Sequence, residues 1–346
     1  MAWNDKLVTV AAAWDAGRVA LTALLPSSPS LETAARRLAA LLTGGEGGLA
    51  DPGNGHLQFD AEIRLRPLVR ADAAPAEVWA VDGGQAVVAD ARCLQLVVAR
   101  AARVCFRLGT CETEDEGDLR AFLLGGRENR VVAGALGLGI AEDATVDLGL
   151  LRDHEEWVAV DRCVAEAAPG AMVLVDGDLE PDWRVPPSWL TDLLGRAASR
   201  GVVVAAVTKR SSLSRGGAPL LGALEIEATR ELGPRAMWWA PVARSRAGAR
   251  VVAARLDADA PFAFRVDLSP GADPETALAA LAALCDDAGF PGYPYPLTVA
   301  DRLAACPGWL RQDTWYELEE LLDQAGVPAE VRERAFADRH DLMERF

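Results

Sequence analysis

Lysine is almost missing from this 346-residue chain: Lys6 and Lys209 are the only two. Neither follows the glycine spacing of a phosphate-cradling Walker loop, so the chain is not itself a P-loop ATPase. Histidine is nearly as scarce, with only His56, His154 and His340. The six cysteines, at 93, 105, 111, 163, 285 and 306, never form Cys-x-x-Cys and share no zinc-site spacing with those histidines. They read as reduced thiols that tend to bury. Zinc and histidine-rich chemistry are thereby set aside, and any hydrolytic activity must lean on carboxylates. Long apolar runs are missing too, since nothing approaches the ~18 residues of a membrane span. The opening residues, Met1 to Lys6, lack the basic and apolar regions of a secretory signal. A cytoplasmic protein without membrane contact is the expectation.

What the chain does have is ordinary for a globular protein, with 51% apolar and 25% charged residues. Its length allows one large domain or two modest ones. The net charge of −16 has the wrong sign for a nucleic-acid protein, because phosphate neutralisation supplies most non-specific affinity. That charge is unevenly spread. Between Arg196 and Arg255 eleven basic residues face only Glu225, Glu227 and Glu231. An acidic body with one basic tract fits a protein that admits nucleic acid at a defined place, although an arginine-rich surface of no special function has the same pattern.

Hydrophobic spacing predicts helices over 3–25 and 31–42, separated by a break at Pro26–Pro29. The glycine-rich stretch from Thr43 to Gly55 reads as a flexible link and a domain boundary. Beyond it, Val78–Asp82, Leu94–Ala99, Ala101–Phe106, Val131–Ile140, Ala171–Asp176 and Val202–Val207 have strand character. Leu148–Ala168, Pro187–Arg200 and Asp273–Gly289 have helix character, and the tail from Asp313 reads as two charged helices broken at Gly326-Val-Pro328. Nearly continuous apolar strands alternating with helices indicate an α/β fold with a sheet covered on both faces. The expected organisation is a helical region and link over 1–56, a core over 57–310 and a helical tail over 311–346.

Asp82 and Asp176 each close an apolar strand and each precede glycine. Strand ends at the carboxyl edge are where α/β sheets place their sites, and a following glycine lets a ligand approach the backbone. A third acid is expected from the helix between them. There Leu150, Trp157, Val160, Val164 and Ala167 form one apolar stripe. Glu156 flanks that stripe, whereas Glu155 projects nearly opposite, toward solvent. An Asp, helix Glu, Asp set suits two-metal phosphodiester hydrolysis by hard Mg²⁺ or Mn²⁺ ions.

Four blocks resemble the NurA nuclease family. Val78-Trp-Ala-Val-Asp82-Gly-Gly-Gln85 and Val173-Leu-Val-Asp176-Gly-Asp-Leu179 are similar to its two strands ending in Asp-Gly-Ser. Ala206-Val-Thr-Lys209-Arg-Ser211 resembles the strand leading to a Lys-Ser segment, and Gly292-Tyr-Pro-Tyr-Pro-Leu297-Thr-Val-Ala-Asp301 is the most distinctive block. The resemblance implies a ribonuclease-H-like mixed sheet flanked by helices, with helical N- and C-terminal extensions. It implies manganese-dependent DNA end processing in double-strand break repair, by a homodimer working with the hexameric ATPase HerA. Asp82, Glu156 and Asp176 would be the metal ligands, and Asp301 and Lys209 would complete the catalytic set, Asp301 in the late acid-or-histidine position and Lys209 contacting phosphate or stabilising developing charge. Arg210, Arg215, Tyr293 and Tyr295 are further candidates for nucleic-acid contact, although aromatics beside proline more often serve packing. Gly84 and Asp178 stand where the family has serine, and Asp178 adds a carboxylate beside Asp176. Those departures leave a non-catalytic adaptor of the translocase as the alternative, with an actin-like phosphotransferase as a third reading.

Overall fold

The apolar run that begins at Val78 does not stop at Asp82. It continues as a 14-residue strand, Glu77–Asp90, paired along its length with a 13-residue antiparallel partner, Gln95–Arg107. The two runs expected at 94–99 and 101–106 are therefore one strand, because Arg100 between them is carried within the ladder opposite Gly84. The computed structural model describes residues 31–44, 47–52, 56–138, 146–180 and 184–337. The helix expected over 3–25 lies outside the described residues, as does the chain from 338 onward.

In chain order the elements are α1 (Leu31–Gly44), β1 (Leu49–Ala50), β2 (Gln58–Phe59), β3 (Arg66–Pro67), β4 (Glu77–Asp90) and β5 (Gln95–Arg107). There follow β6 (Thr110–Asp115), β7 (Arg120–Leu124), α2 (Glu128–Ala135), α3 (Leu148–Glu166), β8 (Met172–Asp176), α4 (Pro187–Ser199) and β9 (Val203–Thr208). Next are β10 (Ser214–Arg215), β11 (Ala218–Pro219), α5 (Leu220–Glu231), β12 (Trp238–Arg244), β13 (Arg250–Arg255) and β14 (Phe264–Leu268). The chain closes with α6 (Pro274–Ala282), α7 (Tyr295–Ala304), α8 (Gly308–Gln324) and α9 (Ala329–Phe336). The main sheet runs β2-β12-β13-β14-β9-β8-β4-β5-β6, with β3 also on β12 and β7 also on β5. Only β4, β8 and β9 pair in parallel, at its centre, and the other pairs are antiparallel. This is the expected mixed sheet flanked by helices.

Alternation along the central strands sorts their side chains to two faces. Val78, Ala80, Met172, Leu174, Ala205 and Val207 pack under α6 and α7. Trp79, Val81, Val173, Val175, Val204 and Ala206 pack under α3 and α4. Trp157, Val160, Val164 and Ala167 of the predicted α3 stripe are buried there, while Leu150 is buried against β5, β7 and α2, and each large aliphatic side chain adds roughly 1.5–3 kcal/mol. Asp147 starts α3 by accepting a hydrogen bond from the Leu150 amide. Val131–Ile140, expected as a strand, instead contributes to helix α2, with Val132 and Ala133 buried against β7 and the start of α3. Tertiary burial of that helical stripe overrides a β-branched pair. Helix α6 ends at Ala282 rather than Gly289, where the chain turns and Asp287 accepts from the Gly289 amide.

The expected link between α1 and the core is partly core itself. Leu49 and Ala50 pair with β10, and Asp51 is buried against Arg265. The Arg265 guanidinium is fully enclosed and binds Asp267 through two nitrogens at 2.8 Å each and Asp51 at 3.0 Å. Asp178 lies 3.4 Å away from it. Ser212 donates to Asp51, and the Leu179 amide donates to Asp267. This ties the 47–52 segment, β14 and the loop after β8 into one knot. The tail forms a helix hairpin, with Trp315 edge-on to Phe336 at 5.4 Å and α8 lying against β4. Among the described residues no helix is long and apolar enough to cross a membrane.

Removing one partner of a buried ion pair leaves the others charged and uncompensated. Arg265→Met is expected to lower unfolding free energy by about 3–5 kcal/mol, measured by urea denaturation. An unchanged midpoint would show the knot to be dispensable.

Candidate metal centre

Parallel register sets the first two acids side by side. Val81 of β4 pairs with Val175 of β8, so Asp82 and Asp176 come next on adjacent strands, about 4.8 Å apart in backbone spacing. There β8 ends, while β4 runs on with β5 alone. Asp82 is thus a mid-strand residue, not the strand terminus expected; the edge it occupies is made by its neighbours stopping. Helix α7 packs over β4 and β5 and brings Asp301 to the same place. Carboxylate oxygens of Asp82, Asp176 and Asp301 lie within 4.8 Å of one another.

Lys209, one residue past β9, reaches into this group. Its Nζ is 2.8 Å from Asp176 Oδ2 and 3.0 Å from Asp301 Oδ1. It also sits 5.0 Å above the Tyr293 ring. Burial works against its charge, but the hydrogen bonds and charges of Asp176 and Asp301 outweigh that and raise its pKa. Burial pushes the Asp82 carboxyl up to about 7, and the neighbouring Asp176 charge adds to the shift while Lys209 opposes it. One stabilising contact remains, the Gly83 amide donating to Asp82 Oδ1 at 2.7 Å.

Glu156 is present but on the other face. Asp82 and Gly84 face α7, and Gly83 faces α3, where a Cβ would come within 2.3 Å of Glu156 Oε1. Glu156 therefore stands outside the three-carboxylate group. Burial raises its pKa to about 8, against the pull of the Arg152 charge and with Asp82 adding to the rise. Glu155, expected in solvent, is buried and pairs with Arg120 at 2.7 Å. The helical wheel missed this because the partner, Arg120, comes from β7, a strand distant in sequence from α3.

The two glycines after Asp82 serve packing rather than ligand approach. A Cβ on Gly84 would lie 1.7 Å from the Ala304 carbonyl oxygen, so the end of α7 occupies the place of the expected serine side chain. Asp178 joins Arg265 instead of the three acids, and burial lifts its carboxyl to about 6. Tyr293 is only 1% exposed and packs among Phe264 and Phe290, which rules it out as an open stacking platform. Its hydroxyl lies near Asp176 without a hydrogen bond of good geometry, and burial raises its pKa well above the usual phenol range. Tyr295, at the start of α7, is 46% exposed and edge-on to Phe106.

The basic tract is not one continuous free surface. Arg196 binds Asp161, Arg215 binds Glu227, Arg235 binds Asp259 and Arg250 binds Asp60. Arg200 and Arg255 donate to backbone carbonyls. Arg210 is exposed beside Lys209. Sequence reasoning missed the buried Arg265 knot, which has no spacing signal, and Arg152, whose place four residues before Glu156 was a usable one.

Three convergent carboxylates offer only hard oxygen donors, and beside them lies a buried tyrosine hydroxyl with no partner. That donor set fits a divalent cation such as Mg²⁺ or Mn²⁺. No family model and no curated protein sequence matches the chain. Its structure is similar to the NurA nuclease from Sulfolobus solfataricus, with a TM-score of 0.52 at 13% identity. The match covers 86% of this chain and 95% of that one. The chain has the NurA fold. A second NurA structure (TM-score 0.39, 8% identity, 68% and 86% covered) and the catalytic domain of human endonuclease V (0.38, 16%, 87% and 100%) are more distant, and nothing rests on them.

A carboxyl whose folded pKa is raised keeps a proton that the unfolded chain has already lost. Asp82 and Glu156 therefore reduce stability as pH rises from about 4 toward 8 in metal-free protein. Asp82→Asn, which removes one charge from the group, is expected to raise the melting temperature at pH 8 by about 2 °C or more and to leave it nearly unchanged at pH 4. Equal melting temperatures for variant and wild type at pH 8 would contradict the charge crowding.

Proposed function

We propose that the chain is a divalent-metal-dependent DNA nuclease of the NurA kind. The observation that carries this reading is the convergence of Asp82, Asp176 and Asp301 at the edge where β8 stops, within a NurA fold. These three would hold the cation, Mn²⁺ or Mg²⁺. When bound, such an ion supplies a water activated near neutral pH and charge to stabilise the leaving oxygen. Glu156, the fourth acid of the expected set, would serve a second ion from the α3 face. Lys209 holds positive charge between Asp176 and Asp301, and it is placed to turn to a phosphate oxygen when a cation takes over those carboxylates. Tyr293 seals the group against the core beneath Lys209.

The adaptor alternative rested on Gly84 and Asp178. Gly84 is accounted for by the close approach of α7, and Asp178 by Arg265, so neither departure touches the three acids. Catalysis is the better-supported reading. Asp82→Ala and Asp176→Ala are each expected to cut the cleavage rate by at least about a hundredfold, since even outer partners of metal ligands cost 10–100-fold. The assay compares end-labelled single- and double-stranded DNA in EDTA, Mg²⁺ and Mn²⁺. Near-wild-type rates for both variants, or cleavage that survives EDTA, would sink the assignment.

The setting we infer is cytoplasmic double-strand break repair, as a homodimer alongside a HerA-type hexameric translocase. Support comes from the fold and from apolar surface that the described core leaves open. Helix α8 buries none of its residues, and Trp309, Tyr316, Leu321 and Val331 are exposed along the tail hairpin. Surfaces of this kind mark contacts between chains. A twofold pair would place two acidic centres around one passage and confine DNA to its ends. Light scattering is expected to give a dimer for the full chain and a monomer for a chain truncated before Gln312. A monomeric full chain at micromolar concentration would refute the pairing, and a dimeric truncation would move the interface off the tail.

A further inference from the structure

We propose that Arg152 grips a backbone phosphate of the substrate strand on the α3 side of the sheet edge, beside the bond being cut. The inference rests on the nuclease reading and adds a substrate-binding residue to it. The edge is strongly acidic, with Asp82, Asp176, Asp301 and Glu156 against Lys209 and Arg152. A polyanionic strand can approach only where a cation is not already spent on the protein's own acceptors.

Several cations near this edge are spent, although Arg210 and Arg302 are exposed there. Lys209 lies between Asp176 and Asp301, and Arg120 binds Glu155. Arg100 donates to the carbonyls of Ala304 and Ala305, and Arg184 binds Asp147. Arg152 differs. Its ion-pair partner is Glu156, 3.5 Å from Nε, too far for a good hydrogen bond. That Nε is buried without an acceptor, while 42% of the side chain remains open to solvent. A guanidinium buried at Nε on a side chain that stays partly open to solvent can present the planar fork that matches phosphate oxygens.

Its position follows from Gly83. A Cβ there would meet Arg152 Cγ at 2.8 Å, so the missing side chain lets the arginine stem lie on β4 one residue beyond Asp82. Asp82 faces α7 and Arg152 comes down on the opposite face. A strand crossing the edge of β8 would meet the three carboxylates on one side and this guanidinium on the other.

The test measures binding of a single-stranded oligonucleotide to the full chain in EDTA, by fluorescence anisotropy across a salt series. Arg152→Gln is expected to bind about tenfold more weakly. The slope of log K against log salt should become shallower by about 0.7, the value for one lost phosphate contact on a single strand. Arg152→Lys should keep the wild-type slope and lose only part of the affinity, having charge without the fork. A role confined to neutralising Glu156 is separated by repeating Arg152→Gln in a Glu156→Gln background, where the loss should persist. Wild-type affinity and slope in Arg152→Gln, or a loss that vanishes in that background, would overturn the proposal. If Arg152→Gln fails to fold, full wild-type affinity in Arg152→Lys would overturn it. A wild-type chain that cleaves DNA while Arg152→Gln binds normally refutes this inference alone; a wild-type chain that neither binds nor cleaves DNA refutes the nuclease reading and takes this inference with it.

Discussion

The parallel pairing of β4 with β8 is the constraint on which the site depends. It forces two aspartates onto neighbouring strands at the same level, where mutual repulsion and burial both oppose ionisation. Nothing local to either residue would choose that arrangement. It persists because the strands are fixed by a ladder whose side chains fill both layers of the core. Lys209 then offsets part of the repulsion, which makes the lysine a structural counter-charge. The crowding costs stability in the free protein, and a bound divalent cation would relieve it.

Two adjacent glycines let helices close on this edge from both sides. Gly84 admits the end of α7, which carries Asp301, and Gly83 admits α3, which carries Arg152 and Glu156. One two-residue stretch of a strand thereby determines the depth of the site on each face. The same stretch explains why a serine is missing after Asp82. With the Ala304 carbonyl in its place, the backbone of α7 excludes any side chain.

The strongly negative chain handles its arginines in a consistent way. Many are turned inward or along the surface to bind carboxylates and carbonyls, as Arg103 does with Asp115 and Glu166, and Arg265 with Asp51 and Asp267. Basic residues close in sequence are consequently dispersed in space. A chain of this kind has no broad positive face, so any polyanion it binds would have to be met by the few cations left uncommitted.

The sequence by itself determined the class of fold and the chemistry open to the site. Apolar runs at 78–81, 172–175 and 203–207, with the stripe of α3 between them, indicated an α/β sheet covered on both faces, because nearly continuous apolar strands have no face to give to water. The scarcity of lysine and histidine left carboxylates as the available ligands, and Asp82 and Asp176 were legible as acids closing those runs. Tertiary structure decided the rest. It lengthened β4 past Asp82, converted 128–135 to helix, buried Glu155 and set Glu156 across the strand from the acids. It also chose Asp301 as the third member of the group and turned Asp178 away to Arg265. Each of these depends on which element packs over which, and distant segments meeting at a sheet edge leave no local periodicity to read.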